Sequence, residues 1–299
     1  MTFRSLLATC LLLTSLFLAG AQQIRDRRRP FFIIGHMANT MEEVNAFLKD
    51  GANAVEVDTE FADNGTVLGT YHETFPCECF RVCGKREKIK TFLSHIRDIT
   101  GTPSSPYAGK MILLFLDLKT SKLPASSKFT AGLTLAENLV HHLWYGGYDV
   151  GMNGDLKSIK RMYGKLGIRR HQWQGDGLMN CFRFLIPEHR LIEAIRQRDR
   201  PGGYIDKVYY WTVDLPPYIA NAIRVGIDGI ITNKPYNVRD VVVNEFANQL
   251  RVAGAGDNPW KKFRRPRKEA NNEVDVYTDI QEEEYIKNLL PESTNMRPR

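Results

Sequence analysis

Residues 30–61 read PFFIIGHMANTMEEVNAFLKDGANAVEVDTEF, and the hydrophobic period changes twice within them. PFFIIGH is a short apolar run of β-forming residues that closes on Gly35 and His36. Thr40 then stands where a helix N-cap belongs, with Glu43 three positions on. Val44, Phe47 and Leu48 recur at helical spacing, and Gly51 supplies a stop. From Ala54 the chain is apolar again, in a run that reads as a buried strand. Strand, amphipathic helix and strand in so few residues is the rhythm of a parallel sheet.

The rhythm recurs downstream. KTFLSHIRDIT (90–100) is helical, KMILLFLDLK (110–119) is a nearly unbroken apolar strand, and AGLTLAENLVHHLW (131–144) is helical again. DLKSIKRMYGKLGI (155–168) leads into RHQWQ, EHRLIEAIRQRD (188–199) into KVYYWTVD, and YIANAIRVGID (218–228) into GIITN. A run such as MILLFL implies a strand covered on both faces. Repeated βα units without a second core predict an α/β fold of the TIM-type (β/α) barrel kind, with a doubly wound open sheet as the runner-up.

Three segments follow from composition. Arg4, the apolar run Leu6–Leu18 and the small residues Ala19, Gly20 and Ala21 read as a secretory signal peptide over 1–21, too short to span a membrane comfortably. Residues 22–263 are expected to form the barrel. Residues 264–299 are rich in charge and poor in core formers, and are expected to stay disordered, with a short surface helix over Tyr285 to Leu290 as the alternative. The net charge is +7, but much of the excess sits in the terminal runs RDRRRP and KKFRRPRK, so it argues for no nucleic-acid partner. The chain is read as an exported, extracellular monomer with no transmembrane segment. Four cysteines remain after cleavage, Cys77, Cys79, Cys83 and Cys181; an even number in an exported chain suggests two disulfides, in one of three connectivities. Asn64 opens NGT, which is both a glycosylation sequon and an Asn-Gly turn.

In a barrel, chemistry sits where strands end. Here His36 closes the first strand, Glu56 and Asp58 lie late in the second, Asp117 and Lys119 finish the third, Trp211 and Asp214 end KVYYWTVD, and Asn233 ends GIITN. Glu56, Asp58 and Asp117 form a hard oxygen set suited to magnesium or calcium, in preference to an internal salt-bridge network. Glu60 is left out as facing solvent. His36 and His72 are the acid/base candidates, because imidazole changes protonation near neutrality. Tyr209 and Trp211 share one strand face and can hold a quaternary ammonium by cation–π attraction, although aromatics in strands are by default core.

Together, GHMANT, GANAVEVDTEF, YHETFPCECFRVC, LDLKT, QWQGDGLMNC, KVYYWTVD, GIDGIITN and DNPW resemble the arachnid sphingomyelinase D, or dermonecrotic toxin, family, itself similar to glycerophosphodiester phosphodiesterases. The likeness runs from about Pro30 to Phe263. It implies one Mg²⁺ on Glu56, Asp58 and Asp117, His36 and His72 as the catalytic pair, and support from Lys119, Trp211, Asp214 and Asn233. It also implies Cys77–Cys83 and Cys79–Cys181 disulfides. The activity implied is a lyase reaction on choline phospholipids, sphingomyelin or lysophosphatidylcholine at membrane surfaces: a hydroxyl of the lipid attacks phosphorus, choline leaves and a cyclic phosphate remains. Three departures stand out. Only YGGYDVGMNG lies between Trp144 and Asp155, where the family usually has a further strand and helix, so about one βα unit is missing between 144 and 156. Glu73, beside His72, is expected to raise its pKa or repel phosphate. Glu78 stands where the family has aspartate, which bears on the orientation of His72. These departures keep open a weak or inactive barrel that binds lipid or a host partner, and a glycerophosphodiester phosphodiesterase.

Overall fold

The structure, a computed structural model, describes residues 26–264 apart from 74–80, 82, 141, 143–145, 152 and 186. The signal-peptide reading, Cys77, Glu78, Cys79 and the charged tail lie outside these residues.

Among the described residues there are ten strands: β1 Arg29–Gly35, β2 Ala54–Phe61, β3 Val67–Tyr71, β4 Arg86–Lys88, β5 Leu113–Leu118, β6 Tyr148–Val150, β7 Gln172–Gly177, β8 Lys207–Trp211, β9 Gly229–Thr232 and β10 Leu250–Val252. The helices are α1 Met41–Lys49, α2 Ile89–Gly101, α3 Lys128–Leu139, α4 Leu156–Lys165, α5 His189–Asp199, α6 Pro216–Val225 and α7 Pro235–Glu245. The expected start of α1 is realised, for Thr40 Oγ1 accepts the Glu43 N–H at 3.2 Å and Val44, Phe47 and Leu48 are buried.

Seven strands run parallel in the order β5-β2-β1-β9-β8-β7-β6. Late in β2 the chain turns instead to an antiparallel ribbon with β3 and β4, while β10 pairs with the start of β1. The sheet curls on itself. Phe115 of β5 meets Trp173 of β7 at 5.2 Å and Tyr209 of β8 at 5.5 Å between ring centres, although neither strand is its neighbour. With Phe32, Ile34 and Ile231 these rings fill the interior. Two larger clusters lie between sheet and helices, one around Ile33, Ile195, Tyr210 and Ile223, the other around Val44, Val55, Phe92 and Leu93. Trp173 donates to the Pro259 carbonyl at 3.2 Å, so the DNPW segment lies beneath the interior rings as a floor.

The barrel does not close. Among the described residues β5 pairs only with β2 and β6 only with β7, which leaves both with an open edge where an eight-stranded barrel has one more strand. The shortening read from YGGYDVGMNG is thus a gap in the sheet. It also corrects one expectation: MILLFL is not covered on both faces, since β5 is only half-buried and Asp117 and Leu118 are exposed. Its apolar sequence suits a strand in the middle of a sheet, but here it is an edge.

Candidate active site

His36 directly follows β1, Asp117 lies on β5 with Lys119 just past its end, and Trp211, Asp214 and Asn233 lie at or just beyond the ends of β8 and β9. The β2–β5 register sets Asp58 opposite Asp117, and Glu56 two residues earlier shares their face. One carboxylate oxygen from each of Glu56, Asp58 and Asp117 lies within 4.8 Å of the others. The three acids therefore come together on one face of β2 and β5.

Each acid is held differently. Glu56 Oε2 accepts the Met37 N–H at 2.8 Å. Asp58 is pinned twice by Asn39, whose Nδ2 donates to Asp58 Oδ2 at 2.6 Å and whose Oδ1 accepts the Asp58 N–H at 2.9 Å. Lys119 Nζ bridges Asp58 Oδ1 at 2.7 Å and Asp117 Oδ2 at 2.6 Å. Burial works against the Lys119 charge, but Asp58 and Asp117 outweigh it and hold the ammonium above the ordinary lysine range. Burial pushes the Glu56 carboxyl well up, and Asp58 and Asp117 push it further. One ammonium among three carboxylates leaves the cluster short of positive charge. A hard, oxygen-bound divalent cation fits this donor set.

His36 sits behind a relay. Asp214 Oδ1 accepts from Thr232 Oγ1 and from the Asn233 N–H, and its Oδ2 from Asn233 Nδ2 at 3.1 Å. That turns Asn233 Oδ1 toward His36 Nδ1, 3.1 Å away. A carbonyl oxygen only accepts, so Nδ1 carries the proton and Nε2 keeps its lone pair. Burial, then the Arg81 guanidinium, lower the His36 pKa to about 3, so the ring is neutral at pH 7. Arg81 itself donates to the His36 and Met37 carbonyls and to Asn233 Oδ1. His72, just past β3, donates from Nδ1 to the Glu73 carbonyl at 2.8 Å, and its charge reaches His36. The Glu73 carboxylate is paired with Lys122. That carboxylate also interacts with His72, while the ring's hydrogen bond goes to the Glu73 carbonyl. Gly69 supports this ribbon, since a β-carbon there would lie 2.0 Å from the Glu87 carbonyl oxygen. Gly69→Ala is expected to cost about 1–3 kcal/mol of stability in thermal melts by forcing β3 off β4.

The aromatic face is inside the barrel. Tyr209 is buried and donates to Asp149 Oδ2 at 2.5 Å; Trp211 Nε1 donates to the Gly151 carbonyl at 3.2 Å. Desolvation raises the Asp149 carboxyl to about 6, with the Tyr209 hydrogen bond opposing it. Asp149, Asn39 and Arg81 were not singled out from sequence. Asn39 lies in GHMANT beside His36, the one signal that pointed to it. Glu60, expected to face solvent, is only partly exposed and pairs with Arg86 at 2.8 Å. Asn64 is exposed in its turn, as a sugar acceptor requires. A cavity of about 880 Å³ lies on the outer face between α4 and α5, lined by groups such as Lys160 and Arg200, and none of the residues above borders it.

Similarity searches agree with this geometry. The family described as dermonecrotic toxin SPH matches residues 26–146 and 145–260. Dermonecrotic toxin SPH of Ixodes scapularis is 39% identical over 88% of this chain and 84% of its own. Dermonecrotic toxin Hl-PLD1 of Hemiscorpius lepturus is 38% identical over 81% of this chain and 87% of its own. A solved structure from Silicibacter pomeroyi, assigned as a glycerophosphoryl diester phosphodiesterase, shares the fold with a TM-score of 0.50 at 13% identity, covering 77% of this chain and 99% of that one. The break in the family match falls just before β6. The alignment to the Ixodes protein spans 307 positions but only 88% of 299 residues, so about 44 positions of that relative have no counterpart here. That is about one βα unit.

Proposed function

Because the chain belongs to the dermonecrotic toxin SPH family, we propose that it is a secreted, Mg²⁺-dependent phospholipid lyase of the sphingomyelinase D type, releasing choline from sphingomyelin or lysophosphatidylcholine. The convergence of Glu56, Asp58 and Asp117 within 4.8 Å beside the His36 relay carries this reading. The three carboxylates would hold one Mg²⁺, which when bound supplies charge neutralisation to the phosphate. His36 Nε2 takes the proton of the attacking lipid hydroxyl as its oxygen bonds to phosphorus, and the anionic phosphate draws the His36 pKa back toward neutrality. His72 gives a proton to the choline oxygen as its bond to phosphorus breaks, so the proton count balances and a cyclic phosphate remains. Lys119 and Asn233 position the phosphate and His36, while Tyr209, Trp211 and the Asp149 carboxylate face the quaternary ammonium. Asp214 acts only through Asn233.

The proposed pairings Cys77–Cys83 and Cys79–Cys181 would tie the His72 loop to the segment after β7. Export as a monomer and glycosylation at Asn64 fit this reading, and among the described residues no helix is long and apolar enough to cross a membrane.

Choline release from sphingomyelin vesicles, followed with ³¹P NMR of the phosphate product, tests the proposal. Chelation is expected to abolish release, magnesium to restore it, and the product to be cyclic. Release that survives chelation overturns it. The open β5 edge, which leaves the Asp117 side chain 53% exposed, favours the second reading of a barrel that binds lipid without turnover; magnesium binding with no choline release would select that reading. Preference for glycerophosphocholine over long-chain lipid would select glycerophosphodiester hydrolysis.

A further inference from the structure

The gap between β5 and β6 leaves more than two strand edges bare. Lys119 donates its N–H to the Thr59 carbonyl of β2, while the Glu56 carbonyl turns the other way to Ala38, so by alternation the N–H groups of Leu114, Leu116 and Leu118 point into the gap. On α3, Ala131 and Leu135 are buried, while Phe129, Leu133 and, at its C-cap, Val140 form an exposed apolar stripe on the opposite side. Across the gap, Tyr148 of β6, Met162 of α4 and Leu166 at its C-cap are exposed too. Of the twelve large hydrophobic residues exposed among the described residues, seven lie on these four elements or their caps. An unpaired strand edge flanked by apolar helix faces is the surface that a strand followed by a helix would cover.

The chain holds such a unit beyond the described residues. Residues 273–290 read EVDVYTDIQEEEYIKNLL. Val274, Val276 and Thr278 alternate with Asp275, Tyr277 and Asp279 in strand period. Asp279 with Glu282 three residues on is a capping pair, Tyr285, Ile286, Leu289 and Leu290 give one apolar helical face, and Pro291 ends it. Alone, this segment has nothing to bury that face against, which is why composition reads it as disordered. We propose that residues 273–290 dock into the gap as a surrogate βα unit, the strand entering between β5 and β6 and the helix covering the faces of α3 and α4.

Position and reach support the match. Trp260 stacks on His171 at 4.8 Å and lies so close to Gly147, just before β6, that a β-carbon there would clash. The described chain therefore runs along the barrel floor, the end from which a strand parallel to β6 has to start. Residues 265–272 can span roughly 26 Å when extended, against about 4.8 Å between neighbouring strands. The proposal does not depend on the lyase reading, and its test needs no substrate.

Amide hydrogen exchange on the full chain is compared with a full-length Val276→Pro variant, which interrupts the tail strand and touches none of the site residues. Docking predicts slow exchange at Leu114, Leu116 and Leu118 in the parent and at least about tenfold faster exchange in the variant. Carbodiimide coupling is expected to join Glu282–Glu284 to Lys128 of α3 or Lys165 of α4 within one chain, independent of protein concentration. Equal exchange in the two proteins overturns the proposal. So do cross-links that form only between chains and vanish on dilution, since a second copy would then occupy the gap.

Discussion

A His36→Ala variant is expected to release choline about 10²–10⁴-fold more slowly than the parent while melting at nearly the same temperature in the presence of magnesium. The expectation rests on what fixes the ring. Asp214 accepts three hydrogen bonds from Thr232 and Asn233 and so orients the Asn233 carboxamide, whose oxygen faces His36 Nδ1. Nε2 is left as the basic nitrogen, and burial keeps the ring neutral at pH 7. Alanine removes that base but none of the three carboxylates, so magnesium should still raise the melting temperature. Asp58→Asn should do the reverse at the metal, losing the stabilisation along with turnover. Parent-like turnover in His36→Ala would remove the histidine from the mechanism, and loss of the magnesium effect in that variant would mean that it had disturbed the acids instead.

The parts legible in the sequence were those whose physics is local. Period-two and helical spacing placed the βα units, and the polar residue closing each apolar run marked the end of the barrel where the site lies. The acidic set was readable because Glu56 and Asp58 share a strand face, and Asp117 occupies the matching position on an adjacent strand. What escaped depends on partners distant in the chain. Glu73 is a charged neighbour of His72, but its pairing with Lys122, far along the chain, was not legible. Arg81 reaches Asn233 across the mouth of the barrel. Asp149 lies in a three-residue strand too short to show a period, and only the curl of the sheet brings it to Tyr209. The missing unit was legible as a shortage of residues, but its consequence, an edge at β5, needed the pairing of the strands.

The largest expected loss of stability lies at the opposite end of the barrel, at a residue the sequence did not mark. Asp228 is fully buried just before β9, and Asp228 Oδ2 accepts from Arg198 Nη1 at 2.6 Å and from the Val208 N–H at 2.9 Å. Arg29 reaches its Oδ1 at 3.1 Å and Lys207 lies 3.7 Å away, so one carboxylate joins β1, β8, β9 and α5. Burial alone would raise its pKa; the cations, Arg198 first, outweigh burial and hold the carboxyl far below the usual range. Because the folded value lies below the unfolded one, the contribution is present above about 3.8 and is lost progressively as the pH falls from there through the depressed folded value. Asp228→Ala leaves buried cations without their counter-charge, and is expected to cost about 3–5 kcal/mol. For a domain of this size that lowers the melting temperature by about 10 °C. Choline release per folded molecule should be unchanged, because none of these groups touches the acids or His36. If the variant melts like the parent at pH 7, Arg198, Lys207 and Arg29 do not need Asp228. If it melts lower but also loses turnover per folded molecule, the floor and the mouth of the barrel are coupled, and the gap between β5 and β6 is the first place to look for how.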